Sequence, residues 1–73
     1  MPTVEIKSDM TGTVISLEKN NGDRVAAGDA LILIESMKME VEIASTASGT
    51  LESYTVGVGD AVADGQCIAT VSS

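Results

Sequence analysis

Histidine, tryptophan and phenylalanine are absent from this 73-residue chain, and cysteine, proline and tyrosine occur once each. Without histidine there is no Ser-His or Cys-His dyad and no histidine-ligated zinc, and a lone cysteine cannot form a paired-cysteine metal knuckle. It cannot form an internal disulfide either, so the fold must hold on packing alone, as suits a reducing cytoplasm. Basic residues are scarce, four against eleven acidic ones, for a formal charge of −7. A phosphate backbone would be repelled by that balance, which argues against nucleic acid as a partner. No apolar run approaches the roughly 20 residues of a membrane span, and no charged-then-apolar leader opens the chain, so no membrane association is expected. The length fits one domain, 1–73, in which Met1 serves initiation only.

What is present is a repeat. An offset of 37 residues matches 4–36 to 41–73 without a gap, and 13 of the 33 aligned pairs are identical. Ordinary residue usage would give about two or three. The identities include Val4-Glu5-Ile6 with Val41-Glu42-Ile43, Gly12-Thr13 with Gly49-Thr50, and Gly22-Asp23 with Gly59-Asp60. Each half reads as short Val/Ile/Leu/Thr runs separated by turns, with no sustained helical period. Strands are expected near 3–6, 11–18, 24–26 and 30–35, and again near 40–43, 48–55, 61–63 and 67–72. Asn20-Asn21-Gly22-Asp23, Ala27-Gly28-Asp29 and their counterparts supply the turns. Neither half could bury its apolar face alone, so two copies packed about a pseudo-twofold axis are expected, as an all-β sandwich or flattened barrel.

That symmetry singles out one segment. The bridge between copies, Met37 to Glu40, corresponds to the paired chain ends, so it should form a presented tip at the pole opposite the termini. A tight hairpin normally carries Asn-Gly or Asp-Gly, because its turn needs positive φ. Glu35-Ser36-Met37-Lys38-Met39-Glu40 contains no Gly, Asn, Asp or Pro and places two methionines where water is expected. Breaches of local consistency of this kind collect at functional sites. By alternation alone, residues 37–43 read as a half-buried strand, with Met37, Met39, Val41 and Ile43 on one side. The repeat argues the other way, since an unbroken strand through residue 38 would leave no reversal between the copies.

The segment Glu35 to Glu40 resembles the attachment site of biotinyl domains, the carrier modules of biotin-dependent carboxylases. Their signature is a lysine between two methionines on a hairpin turn, and the resemblance extends over the Gly-Asp turns and the two-copy architecture. Related lipoyl domains usually carry Asp-Lys-Ala there, which this chain lacks. Ser36 stands where many relatives have alanine, and the ungapped match leaves no room for the protruding thumb of some carriers. The resemblance implies two four-stranded antiparallel sheets of the biotinyl/lipoyl type, with biotin joined to Lys38 by a biotin protein ligase. Lys38-linked biotin would shuttle a carboxyl group between a biotin carboxylase and a carboxyltransferase acting on an acyl-CoA or keto acid, as in the acetyl-CoA carboxylase of fatty acid synthesis. Met37 and Met39 would serve recognition, with Glu35, Ser36 and Glu40 completing the motif, in a non-catalytic carrier that is a monomer when free.

The other candidate residues are weaker. Lys7, Lys19 and Arg24 align with Ala44, Val56 and Ala61, so the second copy dispenses with them. Cys67 aligns with Ala30 and reads as a core thiol, with no basic neighbour in sequence to activate it. The carboxylates follow no calcium-loop spacing, and no metal site is expected. Two other readings of the whole chain stay open: a lipoyl or dual biotin/lipoyl attachment protein, and an unmodified acidic interaction module.

Overall fold

The computed structural model of the chain describes residues 2–73; Met1, and with it the initiation reading, lies outside them. Eight strands follow one another: β1 (Thr3–Lys7), β2 (Gly12–Leu17), β3 (Arg24–Val25), β4 (Ala30–Ser36), β5 (Met39–Ala44), β6 (Gly49–Tyr54), β7 (Ala61–Val62) and β8 (Cys67–Ser72). They form two antiparallel four-stranded sheets, ordered β1-β8-β6-β3 and β5-β4-β2-β7. Advancing each strand of the first sheet by one half of the chain, and wrapping β8 and β6 back to β4 and β2, yields the second. The two sheets are one arrangement used twice.

The apolar positions explain why the sheets close on each other. Alternation puts every second side chain on the inner face, and the same places are buried in both halves: Ile6 and Ile43, Val14 and Leu51, Val25 and Val62, Leu31 and Ile68, Ile34 and Val71. Ile32 occupies the place that Ala69 holds in the other half, both fully buried, so the two halves fill that place with unequal volumes. Two polar side chains are also buried, Ser8 and its mate Ser45. Each hydroxyl donates to a carbonyl two residues on, Met10 at 2.5 Å and Ala47 at 2.6 Å, so neither is left unsatisfied.

Each half's turns are clamped by the other half. The Gly22 and Gly59 N–H groups donate to the Leu51 and Val14 carbonyls, and those of Gly28 and Gly65 to the Ser45 and Ser8 carbonyls. The turns close internally through carboxylates: Asp23, Asp29 and Asp60 each accept the N–H three residues earlier, at 2.8–2.9 Å, and Gln66 does the same at 3.0 Å. Folding one half therefore requires the other.

The symmetry fails at a few places. Tyr54, the sole aromatic residue, holds the position of exposed Leu17. Its hydroxyl donates to the Leu31 carbonyl (2.7 Å) and accepts the Lys19 N–H (3.2 Å), linking the sheet of β6 to that of β4. Burial pushes the Tyr54 phenol above its usual range, with the Lys19 N–H opposing and Glu18 and Asp23 adding. Val56 is buried where the first copy has Lys19. Cys67 is half-buried rather than in the core, because β8 begins there and its neighbours on the inner face start one residue later.

The same ladder separates tip from chain ends. Ser73 N–H donates to the Pro2 carbonyl at 3.1 Å, so the ends lie side by side. Close to them, a Cβ on Gly49 would touch Ser73, and β6 starts against Val25 of β3. From that region Ala27 bonds to Ser48, Gly28 to Ser45, and Ser45 to Asp29, where β4 begins. β4 then runs seven residues, about 20 Å, away from the ends before it reverses.

Candidate functional site

The reversal is a two-residue hairpin. Approaching the tip, β4 and β5 stay in register as Ile34↔Val41, Glu35↔Glu40 and Ser36↔Met39, leaving Met37 and Lys38 as the two residues beyond the last pair. Their φ angles are +52° and +66°, and among the described residues they are the only non-glycine residues in the left-handed region. Two positive φ values in succession mark a type I′ turn, whose twist matches the strands it joins. The cost for side-chain-bearing residues is about 1–2 kcal/mol each. The conformation persists because its surroundings over-determine it. Ile32 and Ile34 of β4 are anchored in the core, and Ile43 of β5 is buried beside them, so neither strand can slip to relax the turn.

The result is a projecting lysine with an apolar collar. Lys38 is exposed at the summit, Met37 is 93% exposed and Met39 65%. Below them Glu35 and Glu40 stand directly opposite each other, both exposed, and Glu42 follows on the same face of β5. Like charges so placed weaken a ladder. Ser36 is half-buried at the neck. All six residues singled out from the sequence thus sit on one hairpin, as two ladder pairs and the turn that joins them. The alternation read from Met37 to Ile43 is real only from Met39 onward, where β5 starts.

The remaining basic residues lie elsewhere. Lys7 ends β1 beside a register shift, Arg24 is exposed on β3, and Lys19 is half-buried near Tyr54. Among the described residues no group of three or more His, Cys, Asp or Glu side chains is placed to hold a metal ion, and no pocket indents the surface. A convex tip bearing a primary amine does not enclose a substrate. It can be entered by another protein's cleft, and an amine so placed can be acylated. Two residues given no role beyond their place in the repeat, Tyr54 and Gly12, carried one signal each: the only aromatic ring, and a glycine inside an expected strand where no turn needs it.

This arrangement has known counterparts. The family described as Biotin-requiring enzyme matches residues 4–71, and the chain belongs to it. Over 41 residues it is 42% identical to the glutaconyl-CoA decarboxylase subunit gamma of Acidaminococcus fermentans, a match covering 56% of this chain and 28% of that protein. Over 39 residues it is 35% identical to the biotinylated protein TB7.3 of Mycobacterium tuberculosis, covering 53% of this chain and 55% of that one. The crystal structure of the Kluyveromyces lactis urea carboxylase contains a segment that superposes on 99% of this chain with a TM-score of 0.92 and 32% identity, though this is only 6% of that enzyme. The matched segments cover between 6% and 55% of the curated relatives' lengths.

Proposed function

We propose that Lys38 is the point of covalent biotin attachment and that the chain is a non-catalytic carrier in a biotin-dependent carboxylase system. The observation that carries this reading is the turn itself: an exposed lysine held at φ +66° between two exposed methionines, at the far end of β4 from the chain ends. A primary amine in that position fits amide formation by a ligase, and nothing else on the hairpin could serve as acceptor. Similarity to proteins named as biotinylated or as carboxylases supports the choice of biotin over lipoate.

Once attached, biotin supplies a ring nitrogen that can take up and release a carboxyl group. The chain's own contribution is delivery. Met37 and Met39 offer adaptable apolar contact to a ligase and to the entrance of a partner active site. Glu35 and Glu40 offer charge to basic groups on those partners. The lysine stem and cofactor chain together form a tether that raises the local concentration of the group at each site. Acylation removes the lysine charge, taking the formal total from −7 to −7 − 1 = −8. The partners in this reading are a biotin protein ligase, a biotin carboxylase and a carboxyltransferase for an acyl-CoA or keto acid, in the cytoplasm, met by a monomeric carrier.

The test is incubation of the purified chain with biotin, ATP and a biotin protein ligase, read by intact mass and streptavidin capture. One label per chain at Lys38 is expected. A label on Lys7 or Lys19, or acceptance of lipoate with refusal of biotin under a lipoate ligase, would overturn the site or the cofactor respectively. Capture from host cells, read for carboxylase subunits, tests the partners.

A further inference from the structure

Gly12 and Gly49 open β2 and β6, the same place in the two halves. Neither is among the glycines with positive φ, so freedom of rotation does not explain them. Space does. A Cβ on Gly12 would lie 2.6 Å from the Glu35 carbonyl oxygen and against the Ile34 Cγ2 methyl. A Cβ on Gly49 would strike the Ser72 carbonyl, its carbon at 2.8 Å, with the Ser73 Cα at 3.0 Å. In both cases the obstacle includes main chain, which cannot swing aside as a flexible side-chain end would. A glycine inside a strand marks such a close approach of two backbones.

The duplication has therefore built one device twice, with different things resting on it. Above Gly12 lies Glu35, then Ser36, then the Met37-Lys38 turn. Above Gly49 lies the end of β8 and then Ser73. On its other side Gly12 is paired to Val62 of β7, which opposes a retreat of β2 from a larger residue at 12. Any added methyl must push the last residues of β4 outward, and with them the hairpin. At position 49 the same push falls on the paired chain ends, with no turn beyond them.

We infer that Gly12 is a positioning residue for acylation of Lys38: by letting β4 lie flush on β2 just before the reversal, it sets the height and tilt at which the lysine is presented to a ligase. The inference rests on the assignment of Lys38 as the acylation site. It requires Gly12 and Gly49, alike in sterics, to differ in function.

The experiment compares ligase kinetics on the intact chain, Gly12→Ala and Gly49→Ala, with biotin and ATP saturating and well below every melting midpoint. Gly12→Ala is expected to lose on the order of tenfold or more in kcat/KM, chiefly through KM, with Gly49→Ala within about twofold of the parent. Loss of packing alone would not separate the two, because each variant forces the same kind of clash. If Gly12→Ala fails to melt cooperatively, all three chains are assayed in trimethylamine oxide, which favours the compact state. Equal kinetics for the two variants, or parental kinetics for Gly12→Ala, would overturn the inference and leave the Lys38 assignment standing. An unlabelled parent chain would overturn both.

Discussion

The Met37-Lys38 turn and the gap between Ser73 and Pro2 are the same place in the two halves of the molecule. At one the chain crosses from strand to strand in two residues, both forced to positive φ. At the other the corresponding strands end side by side, joined by hydrogen bonds from Ser73 to Pro2 and by no covalent link. Directly below the two places the halves are matched: the ladder, buried Ile34 and Val71, and the glycine close to the last pair. At these two poles the difference is a strained, exposed, methionine-flanked crossing that the fold does not need for its core. Here the shared ladder and core belong to stability, and the crossing that only one pole has belongs to function.

The sharpest way to separate the two is Lys38→Arg, which retains the charge and blocks amide formation. Labelling should fall from complete to none by intact mass, with stability changed by less than about 0.5 kcal/mol. Residual labelling would show that the difference between the poles does not lie in that amine. Leu51→Ala cuts into what the halves share. Removing this fully buried side chain should cost about 2–5 kcal/mol, and tip and chain ends should melt in one calorimetric transition. Two transitions would mean that the halves stand apart.

Smaller effects probe where the copies diverge. Tyr54→Phe removes the hydroxyl that serves the Leu31 carbonyl and the Lys19 N–H, and should cost about 1–3 kcal/mol in urea unfolding. The matched change at Leu17, exposed and bound to nothing comparable, should be near neutral. Met37→Gly should raise stability by about 1 kcal/mol by relieving the left-handed strain, even as it strips away half the apolar collar. A variant less stable than the parent would show that the exposed thioether contributes to the fold. The smallest effect is alkaline. Because the folded chain holds Tyr54 protonated to higher pH than the unfolded chain does, the native state binds more protons above pH 10. Its contribution to stability is complete below that pH and fades as pH climbs through the raised value. Tyr54→Phe should flatten this decline in melting temperature.

Much of the fold could be read from residues because the repeat states each element twice. Asn20-Asn21-Gly22-Asp23 and Gly57-Val58-Gly59-Asp60 differ in half their residues, yet share the Gly-Asp pair that closes the turn, so each supports the other. Lys38 as a tip followed from the offset. Its backbone did not: composition opposes positive φ at Met and Lys, and only the Ser36↔Met39 pairing, held by buried Ile34 and Ile43, decides the matter. The partner of the Tyr54 hydroxyl was equally hidden, since a carbonyl on the opposite sheet is brought near by how the sheets stagger. The register shifts between Val14 and Ser16 and between Leu51 and Ser53 left no mark in the pattern either, because the extra residue, Ile15 or Glu52, looks like any other strand residue.

The side-by-side chain ends have a mechanical consequence. β1 and β8 run antiparallel from a common starting point, with Thr3↔Ser72 as their outermost register pair. Tension applied through both ends would not shear this ladder along its length but peel it, one rung after another, from Ser72 toward Cys67. Such a load meets little resistance at any instant and is spent at the end where it enters. The hairpin that carries Lys38, a strand's length further on, would be among the last parts of the molecule to feel the pull.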